Sequence, residues 1–243
     1  MGKYIKLLFQ SIKSRGLLET LRLVPKNLVH VLQLLYDGRF DRKYGTNTGG
    51  IIRLTDLDIE SKNLQYGIWY EPTSAPIFSH IFSNLPSTVG LSYEDYVYID
   101  YGSGKGRTLL LASDFPFAEI IGIEFSRKLC GVAQNNILLY RSQGQKCNKI
   151  RSECVDAENY RLTSKYSVCF FYNPFTEPVL QKVLGNIKAA LNEMQGRVVV
   201  VYINPIHAKV FDECGLFDKK IKVDLPFDLA KDRQSQCFIY TTR

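Results

Sequence analysis

The sequence predicts an α/β protein built around a mostly parallel β-sheet. Three observations carry that prediction. After Ser92, strand-like apolar segments recur seven times; helix-like stretches separate the first five; and the first strand runs into a turn with glycine at alternate positions, Gly102, Gly104 and Gly106. Strands that alternate with helices imply βαβ crossovers and hence parallel neighbours. A chain of 243 residues suits one such domain with extra elements better than two full domains.

The strands are expected over 96–101, 119–124, 149–153, 167–172, 197–202, 217–223 and 236–241. Helical stretches are expected over 107–113, 126–140 and 178–192, with a weak segment near Glu158. Between the last two strands lies LPFDLAKDRQS, which has no strong helical pattern, so an antiparallel closing hairpin is expected there.

The first 69 residues form an N-terminal helical extension in this reading, and 70–243 the main domain. Apolar residues at near-helical spacing, such as Ile5, Leu8, Phe9 and Ile12, are punctuated by Gly16 and Pro25, giving two or three short helices. Nine basic residues against three acidic ones give residues 1–43 a balance of +6 out of a net +7. The uncharged stretch 27–36 is about half the length a spanning helix needs, and Lys13 and Arg15 interrupt any secretory signal. Two readings of the arm stay open: a cap packed on the core with a solvated basic face, or a surface that meets an anionic membrane or acidic partner. Nucleic acid is the weaker expectation, because no recognisable binding motif is present.

The six cysteines have no metal-ligand spacing, and several sit in apolar runs such as SVCFFY. Reduced, buried thiols in a cytoplasmic protein are expected, with no metal. His30, His80 and His207 are scattered and read as packing or surface residues.

In an open parallel sheet ligands sit beyond the carboxyl ends of the strands. Four successive strand ends carry polar residues there. The first is Asp100-Tyr101-Gly102-Ser103-Gly104-Lys105-Gly106. A dinucleotide fingerprint would place its third glycine at 107, where Arg107 stands, which counts against a nicotinamide enzyme. Glu124, 24 residues after Asp100, ends the second strand and can accept hydrogen bonds from ribose hydroxyls; the other reading is an acidic helix start beside Ser126. Asp156 follows the third strand and can accept from an exocyclic amine, although aspartate is common in loops. After the fourth come Asn173, Pro174 and Phe175, preceded by Tyr172: an amide that needs no proton exchange, a fixed backbone and two aromatic faces suited to a cation. Asn204-Pro205 repeats the dipeptide, so a plain turn remains the competing reading.

Together D-x-G-x-G-x-G at Asp100 to Gly106, Glu124, Asp156 and the NPF at Asn173 to Phe175 resemble the class I, Rossmann-like methyltransferases that use S-adenosylmethionine. The resemblance covers roughly Tyr70 to Arg243. It implies a seven-stranded sheet in the order 3-2-1-4-5-7-6, its last strand antiparallel, with helices on both faces. It also implies that Gly102, Gly104 and Gly106 line the methionine end of the cofactor, that Asp100 organises the loop and the cofactor's amino group, and that Lys105 and Arg107 need not be ligands. NPF is similar to a signature of nitrogen-modifying members but lacks its second proline, so a nitrogen acceptor, a protein lysine or another amine, is the expectation. GIWYEPTSAPIFSHIF resembles the Tyr-x-Pro-Thr lead-in of small protein-lysine methyltransferases, which adds Tyr70, Glu71 and Thr73 to the site; Thr73 as a helix N-cap is the other reading. S-adenosylhomocysteine would be the product. A small-molecule or lipid-associated acceptor, and a non-catalytic cofactor-binding protein, remain the alternatives.

Overall fold

The computed structural model describes residues 13–14, 38–53, 67, 70–225 and 236–243. Most of the N-terminal arm, the membrane or partner contact expected of it, and the loop 226–235 lie outside the described residues. A single seven-stranded sheet runs in the order β3-β2-β1-β4-β5-β7-β6. Its strands are β1 (Val97–Tyr101), β2 (Glu119–Glu124), β3 (Ile150–Cys154), β4 (Tyr166–Tyr172), β5 (Arg197–Ile203), β6 (Lys219–Asp224) and β7 (Gln236–Thr241). β1 pairs parallel with β2 and β4, β2 with β3, and β4 with β5; β7 pairs antiparallel with both β5 and β6. The expected order and the antiparallel closing strand are both present.

The strands read as continuous apolar runs because both faces of the sheet are covered. Along β1, Tyr98 joins one core layer and Ile99 and Tyr101 the other. On β5, Val199 and Val201 face the first layer and Val198, Val200 and Tyr202 the second. Alternation by two is the pleat itself, here with apolar atoms on either side.

Helices α1 (Ala75–Val89) and α2 (Arg107–Ala112) cover the first face; α4 (Glu177–Met194) covers the second, and α3 (Arg127–Leu139) packs beside β3 and β2. α5 (Ala208–Glu213) follows β5. α1 buries Phe78, Ile81, Phe82 and Leu85, at the three- and four-residue spacing of one helix face, and ends on the left-handed Gly90. Its N-cap is Ser74, not Thr73, and no side-chain hydrogen bond closes it. Thr73 is one residue too early because Pro76 sits in the first turn, where a missing N–H costs nothing. The weak segment near Glu158 is a single 3₁₀ turn, Ala157–Asn159.

Residues 38–53, which the sequence assigns to the extension, lie against the carboxyl edge of the sheet. Residues 38–44 are helical, and Phe40 and Tyr44 pack on Tyr140 at the end of α3. The last turn, from Asp41 to Gly49, is organised by one carboxylate. Asp41 accepts from the Thr46 hydroxyl (2.8 Å), the Thr48 amide (2.8 Å) and hydroxyl (2.7 Å), and the Gly49 amide (2.7 Å). Burial pushes this carboxyl up, but these donors outweigh burial and hold it below its ordinary value. A further bridge joins Ile52 to Tyr70, so the segment is fixed at both ends. Among the described residues no helix is long and apolar enough to cross a membrane.

The core around α1 is aromatic. Phe78 and Phe82 stack at 4.1 Å, and Tyr98, Phe115 and Phe170 surround them. Phe82→Ala is expected to cost about 3–5 kcal/mol, because a fully buried ring leaves a cavity its neighbours fill poorly. Denaturant unfolding measures this; a loss below about 1 kcal/mol would mean that α1 does not carry the core of this face.

Candidate active site

β1 has parallel neighbours on both sides, β2 and β4, and the chain leaves toward β2 before returning through β4. The crevice expected at such a reversal of strand order is present. It opens to solvent, its free volume counted out through the mouth is about 660 Å³, and its walls come from the turns after β1, β2 and β4 and from the segment before α1.

The turn after β1 has Gly102, Gly104 and Gly106 all at left-handed φ, between 54° and 85°. At two of them the need for glycine is also steric. A Cβ on Gly102 would lie 2.6 Å from the Pro174 Cβ, and one on Gly104 would lie 2.2 Å from the Tyr70 ring. Pro174 and Tyr70 therefore close directly on the loop backbone, as a flat ligand-facing loop requires. Gly106 plays a different part from the one its motif position suggests. It is the N-cap of α2 and packs toward Ala133 of α3, outside the lining of the crevice, because the chain has already turned into the helix.

Two acids sit at the tips of β1 and β2. Asp100 accepts a hydrogen bond from the Thr108 hydroxyl of α2, and Glu124 accepts from the Gly104 amide (2.8 Å) and the Ser126 amide (2.8 Å). Both are almost fully buried. Burial pushes Asp100 up to about 7, the Thr108 hydroxyl works against it, and the neighbouring Glu124 adds to it. Burial likewise pushes Glu124 up to about 7 despite the N–H groups of Ser126, Gly104 and Phe125. The Glu124 carboxylate thus both faces the crevice and stitches the glycine loop to the start of α3. Ser126 is indeed the cap of that helix, its hydroxyl accepting from the Leu129 amide at 3.3 Å.

The opposite wall is the turn after β4. Asn173 has φ 41°, a left-handed value uncommon outside glycine but tolerated by asparagine, and it is buried. Its Oδ1 accepts from the Tyr202 hydroxyl of β5 at 3.4 Å, which leaves a second lone pair and the N–H donors of the amide. Tyr172, Pro174 and Phe175 line the crevice beside it. Tyr70, Glu71 and Thr73 complete the lining on the α1 side.

Asp156 lies apart. With Ala157, Val155 and Val179 it lines an adjoining hollow of about 290 Å³ that shares Gly102, Phe125 and Phe175 with the main crevice. Its Oδ1 accepts from the Glu158 amide at 3.2 Å, capping the 3₁₀ turn.

The sequence did not single out Ser103, Arg107, Thr108, Phe125, Leu129 or Phe170, all of which line the crevice. For Thr108 and Arg107 the local sequence carries no signal: that every residue of α2 is buried, the polar pair that opens RTLLLA included, emerges only from the structure. Among the described residues no group of three or more His, Cys, Asp or Glu is placed to hold a metal ion.

No family model matches the chain, and no curated protein matches it. Among solved structures it is similar to an S-adenosylmethionine-dependent methyltransferase from Leishmania major, with 15% identity and a TM-score of 0.49 over 70% of this chain and 73% of that one. It is also similar to magnesium protoporphyrin IX methyltransferase from Synechocystis with bound S-adenosylmethionine, with 13% identity and a TM-score of 0.46 over 70% and 79% of the two chains. A third, an O-methyltransferase from Nostoc punctiforme, aligns with 16% identity and a TM-score of 0.47 over 69% of this chain and 57% of its own, just over half its length.

The raised carboxyls make the ligand-free protein pH-dependent. In the unfolded chain both groups ionise near pH 4, at about their ordinary values. Between there and about 7 the folded protein retains protons that the unfolded chain has released. Stability is therefore full below the unfolded value and is lost as pH rises through the folded one. The thermal midpoint should fall from pH 5 to pH 8, and Asp100→Asn and Glu124→Gln should each flatten the fall. A profile that rises over this range, or one neither substitution alters, would contradict the burial of these groups as acids.

Proposed function

We propose that this chain is an S-adenosylmethionine-dependent methyltransferase that transfers the methyl group to a nitrogen acceptor. The observation that carries this reading is the pair of buried acids, Asp100 and Glu124, that lines one crevice with a loop whose Gly104 backbone is pressed beneath Tyr70. A phosphate would be repelled by this pair, whereas a ligand with a cationic end and vicinal hydroxyls finds acceptors for both. The loop gives backbone contact in place of side chains, and the adjoining hollow has aromatic walls and an acid, Asp156, suited to an amino-substituted heterocycle.

The cofactor, when bound, supplies an electrophilic methyl on a sulfonium. This chain's residues do the rest by position. Asp100 is set to accept from the amino group and Glu124 from the ribose hydroxyls. Tyr70, Tyr172 and Phe175 present aromatic faces to a cationic centre. Asn173 and the carbonyls of its turn orient the acceptor's N–H bonds, so that the lone pair points at the methyl in near-attack geometry. A buried aromatic channel favours the neutral amine without a dedicated base, because desolvation lowers the pKa of an ammonium. The incomplete NPF signature leaves protein lysine and small amines as acceptors to be separated by experiment.

Calorimetry is expected to show binding of S-adenosylmethionine and S-adenosylhomocysteine by the wild-type protein. Gly104→Ala should abolish it, because the methyl would enter the Tyr70 ring at a left-handed position. Binding of NADH and of neither sulfur compound would sink the assignment. With a labelled methyl group in cell extract, label should appear on an amine, in protein or in a metabolite. Asn173→Ala should lower transfer by about a hundredfold while leaving cofactor affinity within about twofold, as expected for a group that acts on the acceptor. Unchanged transfer would remove Asn173 from the mechanism.

A further inference from the structure

Arg107 opens α2 directly after the glycine turn, is 1% exposed, and lines the same crevice as Asp100, Gly104 and Glu124. A guanidinium does not lose its charge on burial, so its position has to be built. Here it is built by the strap 41–49. Arg107 Nε donates to the Thr48 hydroxyl oxygen, and its guanidinium carbon lies 4.3 Å from the centre of the Phe40 ring. One edge and one face of the fork are thereby fixed. Thr48 is fully buried and fixed in turn: its hydroxyl donates to Asp41, and its carbonyl accepts the hydroxyl of Tyr70, the ring that covers Gly104. One threonine thus sets both the cation and the lid of the loop.

Lys105, two residues earlier, has a different role. Its Nζ donates to the Gly49 carbonyl at 2.6 Å and to the Asn47 Oδ1 at 3.2 Å, tying the strap to the loop from outside the crevice lining. Asn136 of α3 completes the tie, accepting from the Asn47 amide at 2.8 Å and donating to the Asn47 and Lys105 carbonyls at 3.1 and 2.9 Å.

Taking the crevice as the S-adenosylmethionine site proposed above, we infer that Arg107 binds the carboxylate of the cofactor's amino-acid end and that Thr48 is its positioning residue. The crevice then offers opposite charges to the two ends of a zwitterion: Asp100 at the tip of β1 toward the ammonium, and the guanidinium toward the carboxylate. A planar fork suits a carboxylate, which it can engage with two parallel N–H bonds. Residues 41–49 become part of the binding site, although they precede the glycine turn by more than fifty positions.

The test compares two ligands of the full-length protein: S-adenosylhomocysteine, which carries the amino-acid end, and methylthioadenosine, which lacks it. Arg107→Gln should weaken S-adenosylhomocysteine about tenfold to a hundredfold, the range for losing a charge-assisted pair, and leave methylthioadenosine unchanged. Thr48→Val should shift the ratio of the two affinities in the same direction, and Thr48→Ser should restore it; this pair decides the matter should Arg107→Gln not fold. A merely structural role would weaken both ligands alike, and that result, or no change in either, overturns the inference while wild-type binding leaves the cofactor reading intact. Wild-type binding of ADP or NADH that Arg107→Gln removes, with neither sulfur ligand bound, would make the cation a phosphate partner and overturn both.

Discussion

The carboxyl edge of this sheet depends on one set of hydrogen bonds, those that the Glu124 carboxylate accepts from the amides of Gly104 and Ser126. A carboxylate this deeply buried is costly unless donors surround it, and here the donors are backbone. Because Glu124 ends β2 and Gly104 belongs to the turn after β1, the two bonds lock adjacent parallel strands at their tips and orient α3 as it leaves. The locked loop lies so close to Tyr70 and Pro174 that Gly102 and Gly104 have no room for a Cβ. The crevice is the space this arrangement leaves between the β1 and β4 turns. Its shape follows from a carboxylate that a surface view would call a ligand residue and nothing more.

Much of the sheet was legible because its strands are buried on both faces, and burial writes itself into a sequence as unbroken apolar runs. β2 and β7 fall on their expected residues, and β1, β3, β4 and β5 within one. β6 begins two residues later than expected because Phe217 is apolar for a different reason: it packs on Phe211 and Tyr240 just ahead of the strand. α5 escaped notice because its six residues bury only Phe211, too few for a helical period. The repeat of Asn-Pro had argued for a plain turn at Asn173. In the structure Asn173 and Asn204 both adopt left-handed φ, 41° and 50°, at the ends of neighbouring parallel strands, so the dipeptide does mark one turn type; only the first copy lines the crevice. Sequence identifies the turn, and strand order decides which turn lines the crevice.

The strap was not legible, and the reason is separation along the chain. Asn47 meets Asn136 across 89 residues, and Thr48 meets Arg107 across 59. No local period records such pairs. Lys105 and Arg107 look equivalent in SGKGR, both basic and both beside glycine, yet one ties the loop to the strap and the other enters the crevice. What separates them is that α2 begins at 107, so the second side chain is carried inward by the helix while the first stays on the turn. The charge excess of the N-terminal region read as a property of a separate arm. Asp41, at the edge of that region, also supplies with Thr48 the frame on which the crevice's own cation rests.

The balance of charge in the crevice also explains why so polar a site is stable at all. Were Asp100 and Glu124 both ionised in an empty crevice, their mutual repulsion would add to the cost of burial; with both raised to about 7, each can shed that cost by holding a proton. A cationic ligand reverses the preference, because its positive charge stabilises the ionised pair and the protons leave as it arrives. The same burial that strains the ionised empty site would therefore strengthen its contacts with any cation that entered, since charges attract more strongly where water is excluded. Arg107 adds the opposite sign without the same option: it keeps its charge whether or not a ligand is present. That asymmetry is why the acids need only backbone amides and one threonine hydroxyl around them, while the guanidinium needs a strap, an aromatic face and a buried threonine to hold it in place.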